Sequence, residues 1–487
     1  MSTPVQSREK TALVLAGGGA KGAFEAGAVL YLVEEAGLVP EVLTAASVGS
    51  VCAAVLAQAR THEEMVLRAR ELRQDLLALT HTDVVFGKQP WAAALDGTVF
   101  GRAIDRMLVE RTRPPVPGGS PRADRRDEPP GQPWPWGPAS TTRRHWLEVA
   151  AGVARAVPSL RQARRRLPGR TGSVLTLDPL AAALAPAGRG PGAAAAAGIA
   201  PIDPALVARP GLELRLAVVA LGAGVLRYVT GDGSIVEADA RTPVAGAGGG
   251  PVDLVEGIIA SSSVPMVFPP RPLAGDAYVD GGVACNVPVE AAARLGATRI
   301  VAVLAVPLDQ PPDRTDYTRA SGPSVFLRAV GAVAFAERQR TNLAPQLPPG
   351  TELTVIDPRV DVVGPFEVSQ GLMRLDMDYG WMRAADVLAD VDEPARCAAA
   401  AATDAVATAR TQAWHREERM WSAGWVPIDD LVALAACKRT VRDALHRRKG
   451  LGFPCPPDAE GWWSGYEVHH HPRPPGIPDD PSSVPPA

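Results

Sequence analysis

The fold is decided by Thr11–Ala36, TALVLAGGGAKGAFEAGAVLYLVEEA. The apolar run Thr11–Ala16 predicts a buried strand, the three glycines after it predict a loop, and Ala23–Ala36 predicts a helix. The segment Val42–Ala59 repeats the pattern, with a strand, a turn at Ser47 and an Ala-rich helix. Two such units in succession indicate an α/β sheet with helices on its faces.

Composition excludes several classes of protein. The chain has 487 residues, and 50 Lys and Arg against 53 Asp and Glu leave a net charge of −3, which argues against a dedicated nucleic-acid-binding protein. Its five cysteines are scattered without CxxC or Cys/His spacing, so we expect neither a disulfide framework nor a structural zinc. The chain has no long apolar run and a polar N-terminus, and we expect a cytoplasmic protein that contacts a membrane at most peripherally.

The sheet is predicted to continue well beyond the first two units. Further strand-like runs lie at residues 212–221, 224–230, 277–280, 299–306 and 352–356. We therefore predict an N-terminal tail over residues 1–10, one α/β domain over 11–390, a helical region over 391–453 and a proline-rich tail over 454–487. Because proline cannot donate a backbone hydrogen bond, we expect this last tail to be disordered.

A long insertion over residues 111–200 interrupts the domain. Nine of the 30 residues in Arg111–Ser140 are proline, which predicts that the insertion is partly disordered; it could act as a lid. The segment Arg143–Arg170 carries eight arginines and one acid, Glu148, among aliphatic residues and Trp146. This pattern is typical of a basic amphipathic helix that contacts an anionic membrane, or of a solvated arginine-rich insertion.

The glycine run GGGAKG at residues 17–22 lies between the first predicted strand and helix. Glycines allow positive φ and a close approach of backbone N–H groups, and a helix N-terminus attracts negative charge. The run also matches G-x-G-x-x-G, the dinucleotide fingerprint, but not the P-loop, which requires Ser or Thr after its lysine. By itself it fits a nucleotide site, an oxyanion site or a tight structural turn.

Two further sites lie at predicted strand ends. The segment Ala45–Gly49, AASVG, has the form of the nucleophile elbow G-x-S-x-G with alanine at the first glycine, and also fits a packing turn of small residues. Asp280 ends a strand and enters a glycine turn, although Asp-Gly is also a common turn pair. Both would lie with the glycine run at the carboxyl edge of one sheet, where α/β proteins build their sites.

The histidines argue against a Ser-His-Asp triad. None of the eight lies in a glycine-flanked strand-end position downstream of Ser47, so a Ser/Asp pair without histidine fits better. Three of them, His469–His471, fall in the proline-rich tail, where we expect adventitious metal binding at most and no functional metal.

Taken together, these motifs resemble the patatin-like phospholipase family. Residues 17–22 are similar to its oxyanion motif, Ser47 with Val48-Gly49 to its nucleophile motif, and residues 280–282 to its Asp-Gly motif. Residues 260–270 and 283–289 resemble the segments that flank the family's aspartate. The resemblance covers about Thr11–Val306 and continues more weakly to Leu388. Ala45, at the elbow's first glycine, is the departure, and its methyl group could reduce activity or narrow the acyl pocket.

The resemblance implies a three-layer α/β/α sandwich and a serine acyl-hydrolase of phospholipase A, lysophospholipase or esterase type. Asp280 would accept the proton of Ser47, and Ser47 would attack the ester carbonyl of a lipid. The implied oxyanion hole lies at Gly17, Gly18 and Gly19. The implied motif-supporting residues are Lys21, Gly22, Gly49 and Gly281. No metal or cofactor is implied, and the oligomeric state is not predicted.

Two other classes of function stay in view. A dinucleotide-binding protein needs an acidic residue that closes the second strand about 20 residues past the glycines, whereas Glu34, Glu35 and Glu41 precede that strand. A catalytically weak or inactive lipid-binding or regulatory protein on the same fold is suggested by Ala45 and by the long appended regions. For Lys21, a solvated lysine is as good an interpretation as a role in the oxyanion loop.

Overall fold

The computed structural model describes residues 9–79, 82–93, 173–186, 199–245, 250–309, 313, 315–320 and 325–485. The proline-rich stretch Arg111–Ser140 and the basic segment Arg143–Arg170 lie outside these residues, as does most of the Ala/Gly-rich run at 185–200. The predictions of a disordered insertion, a lid and a basic membrane contact therefore stay predictions.

A mixed sheet of nine strands forms the centre of the molecule. Its strands run in the order β11-β10-β1-β2-β5-β6-β7, with β9 paired to β5 and β8 to β9, and β3 and β4 form a separate pair. The bounds are β1 Thr11–Leu15, β2 Val42–Ala45, β3 Gly87–Lys88, β4 Leu175–Thr176, β5 Glu213–Ala220, β6 Val225–Thr230, β7 Ile235–Val236, β8 Arg271–Leu273, β9 Asp276–Asp280, β10 Arg299–Val303 and β11 Glu352–Ile356. From β11 to β5 all neighbours are parallel, whereas β6, β7, β8 and β9 pair antiparallel.

Helices connect and cover these strands. Their bounds are α1 Gly22–Glu34, α2 Val48–Leu56, α3 His62–Ala78, α4 Pro90–Ala93, α5 Asp178–Leu184, α6 Pro204–Val207, α7 Leu254–Ser261, α8 Val289–Arg294, α9 Ala334–Leu343, α10 Gln370–Leu388, α11 Glu393–Ala423 and α12 Ile428–Gly450. Short 3₁₀ turns at Gly19–Lys21 and Gly281–Val283 follow β1 and β9, and a π-helical stretch at Leu327–Val333 precedes α9. Among the described residues, no helix is both long and apolar enough to cross a bilayer.

Strand β1 shows how the layers form. Leu13 and Leu15 pack into the large core cluster with residues of α1, α2 and α10, whereas Ala12 and Val14 pack into a second cluster with residues of α8. Since successive side chains of a strand point to opposite faces, this alternation places helices on both faces of the sheet. The predicted three-layer α/β/α sandwich is confirmed.

Strand β5 organises the region where the candidate site forms. Its first half pairs parallel with β2, with Ala45 opposite Leu216, and its second half pairs antiparallel with β9, with Asp280 opposite Val218. The other edge of β5 is occupied by β6. Strands β2 and β9 therefore share one edge of β5 and meet end to end, carboxyl end to carboxyl end.

The helical region predicted over 391–453 is present as α11 and α12. Both pack against α10 around a core of their own, which includes Met382, Val406 and Val441. Buried ion pairs join the helices, with Arg448 of α12 contacting Asp386 of α10 and Thr403 of α11. These contacts attach the C-terminal helices to the α/β domain.

The expectation that Pro454–Ala487 is disordered is wrong for residues 454–485, which pack on α11 and α12. Trp462 and Ile477 lie in the helical core, and Trp462 stacks under Arg410 at 3.7 Å. Glu467 is buried and accepts hydrogen bonds at 2.9 Å from both Arg410 and Lys438. Buried aromatic and ionic groups thus hold a proline-rich segment that composition alone assigns to disorder.

Part of the predicted insertion also belongs to the core. Strand β4 and helix α5 place Leu175, Leu180 and Leu184 in the large core cluster. Arg271, next to β9 in the sheet, is paired with Asp178 at 2.6 Å. Residues 173–186 are therefore part of the α/β domain.

Candidate active site

Ser47 lies at the sharp turn between β2 and α2. Its φ of 52° and ψ of −131° are uncommon for a residue with a side chain, and its exposed fraction is 7%. A Cβ at Gly49 would lie 2.5 Å from the Ala16 carbonyl oxygen, so α2 can begin this close to β1 only with glycine there. The predicted nucleophile elbow is thus present in its strained form.

Ala45 does not distort this turn. It is the last residue of β2, pairs with Leu15 and Leu216, and contributes its methyl group to the large core cluster. Its φ is not among the positive values found in this chain. Alanine is therefore compatible with the backbone conformation that the elbow requires.

Asp280 ends β9 beside Ser47 and is 4% exposed. Its Oδ1 accepts a hydrogen bond from the Gly282 N–H at 2.7 Å, whereas its buried Oδ2 makes no hydrogen bond of ordinary geometry with any described residue. Burial raises the pKa of Asp280 to about 7, and the Ser47 hydroxyl and the Gly282 N–H partly oppose that rise. The carboxylate thus retains a free acceptor next to the proposed nucleophile and the basicity to use it.

The glycine loop runs directly alongside the serine. A Cβ at Gly17 would lie 2.7 Å from the Ser47 Cβ, and a Cβ at Gly19, where φ is 63°, would lie 2.1 Å from the Pro365 carbonyl oxygen. The Gly17 N–H donates to Asn286 Oδ1 at 3.1 Å. Within the described part of the chain no acceptor engages the N–H groups of Gly18 and Gly19. Those two groups are the available oxyanion donors.

The remaining motif residues hold this arrangement together. A Cβ at Gly22 would lie 2.7 Å from Val48 Cγ2, and one at Gly281 would lie 2.3 Å from the Ala217 carbonyl oxygen. Lys21 forms an ion pair with Asp361, so it is not a free solvated lysine. Both glycines are required by close packing around the site.

Sequence reasoning missed two residues that position the site, although it quoted the segments that contain them. Ser261 Oγ accepts a hydrogen bond from the Ser47 N–H at 3.1 Å and donates to the Ala217 carbonyl at 2.7 Å. Asn286 Nδ2 donates to the Gly17 carbonyl at 3.3 Å, in addition to accepting from the Gly17 N–H. Their signal was a polar side chain within an apolar, small-residue segment next to a motif.

Two further acids lie buried near the glycine loop. Burial raises the pKa of Glu25 and of Asp376 well above the ordinary carboxyl value. Glu25 lies on α1, and neither of its carboxyl oxygens has a hydrogen-bond partner among the described residues. Burial therefore favours the neutral form of both acids, and the Ser47 hydroxyl interacts with Asp280.

No histidine that the structure describes interacts with Ser47 or Asp280. His62 contacts the Val33 carbonyl through Nε2 at 2.8 Å, and His469 and His471 contact Glu418 in the C-terminal region. The arrangement therefore offers a serine, a basic carboxylate and two free backbone N–H groups. These groups are sufficient for nucleophilic attack on a carbonyl with stabilisation of the oxyanion.

Comparison with known proteins agrees with this geometry. The family profile described as patatin-like phospholipase matches residues 13–170 and 217–293, which include the glycine loop, Ser47 and Asp280. The chain belongs to the patatin-like phospholipase family.

One curated relative matches over a short region. Patatin-like phospholipase domain-containing protein 7 of Rattus norvegicus is 28% identical over 102 residues, which cover 20% of this chain and 7% of that protein. The chain thus spans only a small part of that relative's length.

Two solved structures are also similar. VipD from Legionella pneumophila is 12% identical, with 91% of this chain and 85% of that chain covered and a TM-score of 0.26. The type III effector protein ExoU is 14% identical, with 94% and 72% covered and a TM-score of 0.22.

Proposed function

We propose that this protein is a serine acyl-hydrolase that cleaves carboxylic ester bonds of lipids through an acyl-enzyme on Ser47, with Asp280 as the general base. One observation carries the proposal. Among the described residues, the buried Oδ2 of Asp280 has no hydrogen-bond partner of ordinary geometry, and it lies beside a strained serine where β2 and β9 meet. Buried polar atoms are normally satisfied, so an unpartnered carboxylate oxygen at this position supports a catalytic role.

The first half of the reaction is acylation. Asp280 Oδ2 accepts the proton of the Ser47 hydroxyl as Ser47 Oγ bonds to the ester carbonyl carbon. The carbonyl oxygen becomes an oxyanion that the N–H groups of Gly18 and Gly19 stabilise, and the N-terminus of α2 adds a favourable dipole. The C–O bond then breaks, and the leaving alkoxide takes the proton back from Asp280.

The second half is deacylation. Asp280 accepts a proton from water as the water oxygen attacks the acyl carbon. The second tetrahedral intermediate uses the same two N–H groups, and Ser47 regains its proton as the fatty acid leaves. Since the pKa of Asp280 is about 7, the same group can take up and return a proton near neutral pH.

Ala45, which motivated the alternative of a catalytically inactive lipid-binding protein, does not favour that alternative. Its methyl group packs into the core and the turn after it keeps the strained serine. Every group that the reaction needs is present among the described residues.

Contact with an anionic membrane and a cytoplasmic location are parts of the proposal that rest on sequence alone. The segment proposed for membrane contact is Arg143–Arg170, with its eight arginines. Flotation with anionic and neutral vesicles tests it, comparing the full chain with a variant in which Arg161, Arg164, Arg165 and Arg166 are changed to Gln. Equal, salt-insensitive binding by both proteins would contradict a membrane role for the segment.

The direct test of function is a lipid panel. The full chain is incubated with vesicles that contain phosphatidylcholine, lysophosphatidylcholine or triacylglycerol, and released fatty acid is measured by mass spectrometry. We expect release from at least one lipid by the unaltered chain and none above background by Ser47→Ala. A matched control is Ser262→Ala, since the Ser262 hydroxyl bonds only to the Ile258 carbonyl of its own helix. Equal release by the Ser47→Ala protein would contradict the proposal.

A further inference from the structure

A second cluster of chemically reactive side chains lies far along the chain from Ser47, between α11 and the C-terminal segment. Glu418 is on α11, and His469 and His471 follow it in the packed tail. His469 Nδ1 lies 3.1 Å and His471 Nε2 lies 2.9 Å from the same oxygen, Glu418 Oε2. One ligand atom from each residue lies within 4.8 Å of the other two.

The protons available to two neutral histidines do not satisfy these contacts. His469 Nε2 faces Glu417 Oε2 at 3.0 Å, and His471 Nδ1 faces the Pro472 carbonyl oxygen at 3.2 Å. Each ring thus has an oxygen acceptor at both nitrogens, whereas a neutral imidazole donates only one proton. Two neutral rings therefore supply two protons for four oxygen contacts, which leaves one nitrogen of each ring free to bind a cation.

The outer contacts match the second shell of a metal site. If each ring keeps its proton on the outer nitrogen, His469 donates to Glu417 and His471 donates to the Pro472 carbonyl. The inner nitrogens, His469 Nδ1 and His471 Nε2, then carry lone pairs that are directed at Glu418. A carboxylate or a backbone carbonyl that holds the outer N–H of a ligand histidine is the usual arrangement around bound zinc.

Aromatic packing holds both rings in place. His469 stacks on Trp414 with ring centroids 5.0 Å apart, and His471 stacks on Trp421 with centroids 4.3 Å apart. The two imidazoles also stack on each other, with centroids 4.8 Å apart. The rings are therefore held in a fixed orientation around Glu418.

Both histidine side chains are buried, whereas Glu418 is accessible to solvent. The side chains of His469 and His471 are 0% and 3% exposed, whereas that of Glu418 is 24% exposed. An ion could therefore enter past Glu418, and water could complete its coordination.

We propose that Glu418, His469 and His471 form a binding site for one divalent transition-metal ion, with zinc as the metal that suits two imidazoles and one carboxylate. The ion ties the C-terminal segment to α11, so its role is structural. This site revises the expectation that the histidine run binds metal at most adventitiously. It is independent of ester hydrolysis at Ser47.

The test uses the full chain, first treated with chelator and then titrated with zinc chloride. We expect about one zinc ion per chain after dialysis, measured by elemental mass spectrometry. The melting temperature should rise by several degrees, since an ion that binds only the folded state stabilises it. Cobalt(II) in place of zinc should give the intense visible bands of a tetrahedral site.

Two variants decide between a built site and adventitious binding. Glu418→Gln keeps the side-chain shape and should lower the zinc affinity at least about 10-fold, the lower range for loss of a supporting group at a metal site. His470→Asn is the matched control, because His470 is exposed in the same run and is not in the ligand set. It should bind zinc as the unaltered chain does.

Either of two results would overturn the proposal. One is an unaltered chain that takes up less than about a tenth of an equivalent of zinc and melts at the same temperature with and without it; two imidazolium ions would then explain the contacts. The other is zinc uptake that falls in His470→Asn and not in Glu418→Gln. Neither result bears on the Ser47 chemistry.

Discussion

Ser47 and Asp280 approach each other along one edge of β5, although 233 residues separate them in the chain. Ser47 follows the end of β2, whose Ala45 pairs with Leu216, and Asp280 ends β9 opposite Val218, two residues further along β5. The two strands end against each other, carboxyl end to carboxyl end. The pair is therefore fixed by sheet register, and not by mobile loops, which is how an active site keeps its geometry.

The first prediction concerns pH. Asp280 must be ionised to accept a proton and its pKa is about 7, so kcat/KM should rise with pH and reach half its maximum near pH 7. Asp280→Asn should lower kcat by about 10² to 10⁴ and remove this dependence, as measured by initial rates on a soluble ester between pH 5 and 9. The control is His62→Gln, since His62 lies away from the site. A histidine variant that matched the loss at Asp280 would favour a triad instead.

The second prediction concerns stability. Because the pKa of Asp280 is raised in the folded state, its contribution to stability is fully present below the unfolded-state pKa of about 3.9 and is lost as the pH rises through about 7. Asp280→Asn should therefore increase the free energy of unfolding at pH 8, by on the order of a few kcal/mol, and change it little at pH 4. Chemical denaturation at both pH values measures this. A variant less stable than the unaltered chain at pH 8 would show that burial is not the dominant influence on Asp280.

The third prediction concerns Asn286. Its side chain holds both the N–H and the carbonyl of Gly17, so Asn286→Ala should leave the glycine loop less well positioned. We expect kcat to fall by up to about 10² with little change in KM, because the loop stabilises the transition state more than it binds substrate. Asn342→Ala is the comparison, since it removes hydrogen bonds to the backbone N–H groups of residues 286 and 287 and leaves the Asn286 side chain in place. An equal loss in both variants would indicate general loosening of the fold.

The fourth prediction concerns Ala45. The methyl group packs in the core and does not distort the elbow, so Ala45→Gly should keep activity within about twofold and cost about 1 kcal/mol of stability. Hydrolysis rates and thermal unfolding measure the two effects separately. A complete loss of activity in a folded protein would mean that this methyl group supports the site in a way the structure does not show.

The sequence predicts the parts of the molecule that depend on local geometry. Strands β1, β2, β5 and β11 lie within a residue or two of their predicted bounds, since each contains a short apolar run. The glycines at 17–19 and 49 are readable because only glycine allows the close approach found there. Ser47 and Asp280 are predicted as strand-end residues in the same local way, because each follows or ends an apolar run and is followed by glycine within two residues.

The sequence does not show which residues far apart in the chain contact each other. Asn286 is marked as a polar residue in an apolar segment, but nothing near it in the chain indicates that it holds Gly17. Asp361 pairs with Lys21 from 340 residues away and carries no local signal of that role. The prediction of a disordered tail is wrong because proline content reports on backbone hydrogen bonding and not on the burial of side chains. What orders residues 454–485 is the burial of Glu467 and Trp462 against side chains of other helices.

Covalent labelling tests most directly whether Ser47 is the nucleophile. The full chain is treated with a fluorophosphonate, its intact mass is measured, and the modified peptide is sequenced by mass spectrometry. We predict one adduct per chain, on Ser47, which is absent from Ser47→Ala and forms more slowly in Asp280→Asn. An adduct on another residue, or equal labelling of the Ser47→Ala protein, would contradict the assignment of Ser47 as the nucleophile.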